Sequence, residues 1–283
     1  MVKSWWWATS CNRERSIVSI ANPGGKLGVS SWARGRTSEV MLVSHRKKFI
    51  YTKTMKTAST SVEIFFERYC LPEGAWKETG RRPETVTAAG IVGVRGRYPK
   101  GIFYNHMPAC EIRDLLEPKI WEEYFKFTCI RNPFDKMISG FTMWSRRKRE
   151  RTIAGKIIAG FRRLRGRANP VDLATGNTEI ERFRSWVIQG GHVDDRDKYM
   201  IAGQECVDEF IRFERLEEDL ARVCAKLDIP LDVSSVPRYK TQQRKLQIPI
   251  RDYYDAETEK RVRELYAWEF ERFKYEMPGP GAY

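Results

Sequence analysis

The sequence predicts an α/β fold in which a central parallel β-sheet is flanked by helices, and three observations support this prediction. Short segments rich in β-branched and aromatic residues alternate with longer segments whose apolar residues recur at helical spacing. Two of the short segments run directly into a helical segment through a polar turn. The chain has 283 residues, of which 41% are apolar, enough for one substantial core. Strands that alternate with helices indicate a parallel sheet.

The elements are predicted in chain order within a domain that spans residues 47–275. Residues 1–46 mix Gly, Ser, Trp and Arg without periodicity and are expected to form a loosely structured extension, and residues 276–283 a tail. Residues 72–100 are rich in Gly, Pro, Arg and Thr and indicate a loop. The segments predicted as strands are KKFIYT, GIFYNH, KFTCI and VDEFIRFE. Helices are predicted after each of these strands, with ACEIRDLL and KIWEEYF after the second, and Asp255 is expected to cap the final helix.

Residues 146–170 form a basic, amphipathic insertion or lid. Ten of the residues from Arg146 to Arg167 are Lys or Arg and one is Glu, and Ile153, Ile157, Phe161 and Leu164 recur at helical spacing. A solvated face, a lid over an acidic glycan and a membrane surface all fit this pattern.

The charge of the chain points to anionic partners. The formal net charge is +14, which fits nucleotides, nucleic acid, acidic glycans or a membrane surface. The six cysteines include no CxxC pair, so no metal site is expected. The sequence shows neither a signal peptide nor an apolar run long enough to span a membrane. We therefore expect a cytoplasmic protein with peripheral membrane contact allowed, or a Golgi-luminal one if this is an excised eukaryotic domain.

The turn KTMKTASTS, residues 53–61, joins the first strand to the first helix. The N–H groups that open a helix have no intrahelical acceptor, and the helix dipole and Lys56 add positive charge there. This favours a bound phosphate-like anion, although an ordinary helix cap has the same composition. The glycines of the Walker pattern are missing, which argues against an ordinary ATP or GTP enzyme.

A second turn of the same kind follows the third strand in CIRNPFDKMISGF. Arg131 stands at the strand end, and Ser139 follows about two helical turns later, so both can address a second phosphate. A structural arginine with a helix-face serine is the alternative.

Together, KTASTS, YNHMPACEI and RNPFDKMIS resemble the motifs of carbohydrate O-sulfotransferases that use 3′-phosphoadenosine 5′-phosphosulfate (PAPS), the group related to heparan sulfate 2-O-sulfotransferase and its bacterial relatives. The likeness continues through FIRFERLEEDLARVCAKLDIP and RDYYDAETEKRVRELYAWEFERFKYE. It implies a P-loop-like, three-layer fold. It also implies PAPS as donor, 3′-phosphoadenosine 5′-phosphate (PAP) as product, and a carbohydrate acceptor, anionic in character, in a polysaccharide, oligosaccharide or glycolipid.

The resemblance also implies roles for individual residues. Lys56 would stabilise the leaving phosphate, and His106 would be the catalytic base. Arg131 and Ser139 would hold the 3′-phosphate. The 5′-phosphosulfate would be held by Lys56, Thr57, Ala58, Ser59, Thr60 and Ser61. No metal is implied, and His45 and His192 receive no role.

The sequence departs from this family at two points. Met55 stands where the family often has Pro, and the segment KTQQRKLQIPIRDYY lacks the usual Asn and Ser, so the sequence does not say which of Lys240, Arg244 and Lys245 covers the nucleotide. A P-loop-type nucleotide-dependent kinase is the main alternative function. A non-enzymatic protein that binds membrane or nucleic acid is a weaker one, and nucleic acid is not the expected partner.

Overall fold

The computed structural model describes residues 41–96, 98, 101–104, 106–150, 152–164, 169–232 and 248–279. The expected extension up to residue 40, the three basic residues Lys240, Arg244 and Lys245, and the end of the expected tail lie outside these residues. The chain divides into two compact units. The first is drawn from Met1–Thr52, Phe66–Lys126 and Arg196–Asp208, and the second from Lys53–Phe65, Phe127–Asp195 and Glu209–Tyr283.

Groups of one to three strands are followed by groups of one to four helices along the described chain. The strands are β1 (Leu42–Ser44), β2 (Phe49–Thr52), β3 (Thr85–Thr87), β4 (Gly90–Val92), β5 (Phe125–Ile130), β6 (Met200–Ile201), β7 (Gln204–Glu205) and β8 (Glu209–Arg212). The helices are α1 (Ser59–Glu67), α2 (Ala109–Leu115), α3 (Pro118–Glu123), α4 (Pro133–Arg149), α5 (Ile153–Leu164), α6 (Pro170–Leu173), α7 (Glu179–Ile188), α8 (Leu216–Lys226), α9 (Ala256–Leu265) and α10 (Ala267–Phe273). The predicted α/β class is confirmed.

The strand order is β3-β4-β1-β2 in the first unit, and these neighbours pair antiparallel. Strands β1 and β2 run antiparallel, with Leu42 opposite Tyr51, because the turn between them is too short for the crossover that a parallel pair needs. The parallel arrangement predicted for the sheet is found in the second unit, where β5 pairs with β8 and Phe127 lies opposite Glu209. Strands β1, β3 and β4 lie in segments where the sequence analysis expected no strand.

The predicted strand GIFYNH is wrong. Tyr104 makes a single bridge with Val94, and the backbone then turns at His106, whose φ of 52° is left-handed. A left-handed residue ends an extended segment, so no ladder forms here. The single final helix expected after Asp255 is likewise two helices, α9 and α10, because the backbone departs from helical angles at Tyr266.

Each unit has its own apolar core. In the first, Val43, Ile50 and Ile91 from the strands pack with Ile112 of α2. The core of the second is larger and aromatic, and it packs α4 against α7, α9 and the segment around Tyr254; its buried members include Phe134, Phe141, Phe183, Trp186, Tyr253 and Tyr266. This packing fixes the first turn of α4.

The helix starts that matter for the site follow local sequence signals. Asn132 caps α4 by accepting a hydrogen bond from the Phe134 N–H at 3.1 Å, and Pro133 occupies the first helical turn, as predicted. Asp255 and Thr258 form a reciprocal capping box at α9, which confirms the predicted cap.

Candidate functional site: the turn between β2 and α1

The turn between β2 and α1 has an unusual backbone for a segment without glycine. Lys56 and Ala58 have φ angles of 64° and 58°, in the left-handed region that normally favours glycine. Ser59 begins α1 directly afterwards. Left-handed residues interleaved with ordinary ones turn successive N–H groups toward one side, which is how backbone nests bind anions. The turn therefore combines a nest with a helix N-terminus.

Several hydroxyl groups of this turn hold it together. The Thr54 hydroxyl donates to the Cys129 carbonyl oxygen of β5 at 2.5 Å and lies 2.9 Å from the Thr57 hydroxyl. Ser59 Oγ donates to the Thr54 carbonyl oxygen at 2.7 Å. From the sequence, Thr57 and Ser59 were expected to bind an anion, with an ordinary helix cap as the alternative. The structure gives Thr57 and Ser59 a second role in shaping the turn.

Three buried basic side chains around the turn are each paired with a carboxylate. Lys53 Nζ lies 2.5 Å from Glu63 Oε2, and both residues are buried. Arg131 pairs with Asp135, and Lys136 pairs with Asp195. Lys56, in contrast, is half-buried. Its side chain therefore retains access to solvent, as a residue that meets a ligand must.

Arg131 links the second predicted motif to the first. Its Nη1 donates to the Lys56 carbonyl oxygen at 2.9 Å, and its Nε donates to Asp135 Oδ2 at 2.6 Å. The guanidinium also stacks on the ring of Phe213, with 4.0 Å from its central carbon to the ring centroid. The structure thus brings Arg131 to the turn that contains Lys56, while Ser139 lies half-buried further along α4.

Asp195 is a component of the turn that the sequence analysis missed. Its Oδ2 accepts a hydrogen bond from the Met55 N–H at 2.8 Å, and its other oxygen pairs with Lys136 of α4. Asp195 is 1% exposed. The nearest signal in the sequence is the basic residue Lys136 on the buried side of α4, but nothing local connects it with a residue far along the chain.

Glu214 adds a half-buried carboxyl group to the same unit. Its Oε1 accepts a hydrogen bond from the Asn132 N–H at 2.7 Å, at the start of α4. Burial raises the pKa of Glu214 above its ordinary value, while the Asn132 N–H and the charge of Arg131 act in the opposite direction.

His106 lies in the first unit, whereas Lys56, Arg131 and Ser139 all lie in the second. It is half-buried and precedes α2, with the left-handed φ noted above. Two residues before it, the Tyr104 hydroxyl donates to Glu111 Oε2 of α2 at 2.6 Å. The other two histidines make local contacts, His45 with the Tyr124 hydroxyl and His192 with the Gly190 carbonyl oxygen.

Within the part of the chain that the structure describes, no cluster of His, Cys, Asp and Glu has the arrangement of a metal site. In that same part, none of the helices has the length and apolar character needed to cross a bilayer.

The turn, its two clamping side chains and the parallel β5–β8 pair fall inside the region covered by a family model. That model, described as the sulfotransferase family, matches residues 40–276 and so takes in β1 as well as α10. Neither the curated proteins nor the solved structures contain a match to the chain. The extent of the family match is decisive, and the chain belongs to the sulfotransferase family.

Proposed function

We propose that the protein transfers a sulfuryl group from PAPS to a hydroxyl group of a carbohydrate acceptor. The observation that carries this proposal is the glycine-free turn between β2 and α1. Left-handed conformations at residues other than glycine cost about 1–2 kcal/mol each and persist where the surroundings enforce them, often at functional sites. Here Lys56 and Ala58, on either side of Thr57, adopt this conformation. Hydrogen bonds from Arg131 and to Asp195 hold the turn in place.

The residues of the second unit fit the two anionic ends of PAPS. The nest, the start of α1 and Lys56 suit the 5′-phosphosulfate, since all three favour negative charge. Arg131 and Ser139 are assigned to the 3′-phosphate from their match to the family motif. Arg131 has a second task in this assignment, because it also holds the Lys56 carbonyl oxygen.

When bound, PAPS supplies the sulfuryl group and a phosphate as leaving group. Sulfuryl transfer resembles phosphoryl transfer, in which positioning and charge stabilisation do most of the work. Lys56 places its positive charge where the bridging oxygen becomes negative as its bond to sulfur breaks. His106 accepts the proton of the acceptor hydroxyl on a ring nitrogen as the new sulfur–oxygen bond forms.

Two observations support His106 over Glu63 and Glu111, the carboxylates that are the alternative bases. Its left-handed backbone is a strained feature in a segment that matches the family motif. Glu63 is fully buried and paired with Lys53, and Glu111 receives the Tyr104 hydroxyl, so both carboxylates already have structural partners.

The acceptor in this proposal is an anionic glycan. The net charge of +14 attracts polyanions, and the exposed Arg147 and Arg149 at the end of α4 provide positive charge at the surface. Sulfation of a sugar hydroxyl accords with the family motifs, which resemble those of carbohydrate O-sulfotransferases. We expect neither a nucleic-acid partner nor a metal requirement.

The test compares Lys56→Ala with His106→Ala, using calorimetry with PAP and turnover of labelled PAPS on a panel of glycans. We expect Lys56→Ala to weaken PAP binding and to lower turnover by roughly 10²- to 10³-fold, because it removes one preorganised charge. His106→Ala should leave PAP affinity nearly unchanged while turnover falls by roughly 10²- to 10⁴-fold.

The chain offers matched controls for both variants. Lys48 is an exposed lysine that also has a left-handed φ, of 49°, and His192 is an exposed histidine. Lys48→Ala and His192→Ala should therefore behave like the unmodified protein. The proposal fails if PAP does not bind the unmodified protein, and the assignment of the base fails if His106→Ala retains normal turnover on a confirmed acceptor.

A further inference from the structure

Helix α5 exposes its large apolar side chains instead of burying them. Ile157, Ile158 and Phe161 are 55%, 54% and 59% exposed, and the terminal residues Ile153 and Leu164 are 78% and 85% exposed. Helical spacing places Ile153, Ile157, Phe161 and Leu164 on one face. A stripe of this size is unusual on a monomeric protein surface and marks an interaction site.

Two small residues on the side of α5 away from the apolar stripe are less exposed than the large apolar ones. Gly155 and Ala159 are intermediate in exposure, and they lie about a third of a turn or more away from the apolar stripe. The helix therefore presents its large apolar side chains outward. An amphipathic helix that served only the core of this unit would have the opposite orientation.

Helix α5 and the last turn of α4 are rich in basic residues. Its sequence, IAGKIIAGFRRL, contains three basic residues and no acidic one. The last turn of the preceding helix α4 adds four more basic residues, of which Arg146, Arg147 and Arg149 are exposed. Arg146 is paired with Glu150 at 2.9 Å, and Lys148 Nζ donates to the Val171 carbonyl oxygen at 2.9 Å, so these two are already engaged.

We propose that α5 binds in the plane of an anionic membrane surface, with its apolar stripe inserted at the level of the lipid headgroups. A basic helix whose apolar face carries Ile, Leu and Phe has the character of interfacial helices. Lipid tails cover the apolar stripe, and acidic headgroups meet the surrounding Lys and Arg. A soluble acidic glycan or a nucleic acid would satisfy the charges alone and leave the stripe in water.

This inference is independent of the proposed sulfuryl transfer, since its readout is binding to lipid vesicles. The full chain is floated with vesicles of phosphatidylcholine alone and with vesicles that contain about a third phosphatidylserine. We expect binding to the anionic vesicles only, and we expect that binding to weaken as salt is added. Binding to neither kind of vesicle, or equal binding to both, overturns the proposal.

Substitution of exposed residues then locates the contact. Ile157→Glu should weaken binding to anionic vesicles by roughly ten- to a hundredfold, because an isoleucine that would insert into the membrane is replaced by a charge that the membrane repels. The matched control is Ile188→Glu on α7, where the isoleucine is 46% exposed; it should leave binding unchanged. Equal loss in both variants, or no loss in Ile157→Glu, overturns the assignment to α5.

A second variant and two further measurements separate the remaining alternatives. Ile153→Ser combined with Leu164→Ser alters the two most exposed members of the stripe without adding charge, and it should also reduce binding. Thermal melting should be unchanged in every variant. If Ile157→Glu weakens binding to a soluble acidic polysaccharide as much as binding to vesicles, or if it converts a dimer to a monomer, then a glycan or a second copy covers α5 and the proposal is wrong.

Discussion

Replacing Arg131 by Gln should destabilise the protein even when no ligand is present. Arg131 and Asp135 are 7% and 0% exposed, and the Arg131 guanidinium donates to the Asp135 carboxylate through Nε. Removing the cation leaves the carboxylate buried without its counter-charge, which costs about 3–5 kcal/mol. Loss of the hydrogen bond to the Lys56 carbonyl oxygen adds about 1 kcal/mol.

The partner substitution shows whether the ion pair is responsible. In Arg131→Gln combined with Asp135→Asn, both charges are gone; Asn keeps the shape of Asp, whereas Gln is shorter than Arg. Because no charge is then buried alone, we expect the double variant to recover about 2–3 kcal/mol relative to the sum of the two single variants. What remains lost should reflect the weakened hold on the turn that contains Lys56.

Urea unfolding followed by tryptophan fluorescence measures these free energies for the unmodified protein, the two single variants and the double variant. If Arg131→Gln lowered the free energy of unfolding by less than about 1 kcal/mol, the reasoning would be refuted, because removing one partner of a buried ion pair costs several times more. The reasoning would also be refuted if the double variant lost as much free energy of unfolding as the two single variants together. PAP affinity measured on the same four proteins can then be set beside their free energies of unfolding, which separates loss of a ligand contact from loss of stability.

Two further predictions concern buried carboxylates. Met55→Pro should lower the free energy of unfolding by about 1.5–3 kcal/mol, because proline has no N–H to donate to Asp195; Met55→Leu keeps the N–H and should be nearly neutral, and similar losses in both would contradict this role. Burial raises the pKa of Asp219, but hydrogen bonds from the Arg212 side chain and backbone and from Arg222 outweigh it and lower that pKa to about 2. The resulting stability, about 2 kcal/mol, should be present above the usual pKa of 3.8 and lost as the pH falls through about 2; a melting curve of Asp219→Asn with unchanged pH dependence would contradict this.

Elements with strong local signals were predictable from the sequence. The β-branched and aromatic segments gave β2, β5 and β8, and the residue pair Asn132 and Pro133 gave the start of α4. The cap at Asp255 was equally local. In each case the residues that form the feature lie within one or two turns of each other, so composition and spacing are sufficient evidence.

Elements that depend on distant partners were not predictable. Strands β1, β3 and β4 have three residues each, too few for a pattern, and they are held by pairing with one another and with β2. Helix α7 is an exception, because Thr178 and Glu181 form a local capping box at its start and the helix was still not predicted. The most informative omission was Asp195, whose contacts with Met55 and Lys136 join segments far apart in the chain.

The candidate site shows how a phosphate-type turn can exist without glycine. In a Walker loop, glycines adopt the left-handed conformations at little cost. Here Lys56 and Ala58 adopt them, and the strain is balanced from both sides of the turn. On one side Asp195 holds the Met55 N–H, and on the other Arg131 holds the Lys56 carbonyl oxygen.

This arrangement also gives a reason for methionine at position 55, where related sulfotransferases often have proline. Proline would stiffen the chain before the turn, but it could not donate a hydrogen bond. Methionine leaves the chain less restricted, and its N–H is fixed instead by Asp195, which pairs with Lys136 inside the protein. The rigidity that proline would provide locally is therefore provided by Lys136 of α4 and by Asp195. It follows that substitutions at Lys136 or Asp195 should disturb the backbone around Lys56, although neither side chain is exposed enough to meet a ligand itself.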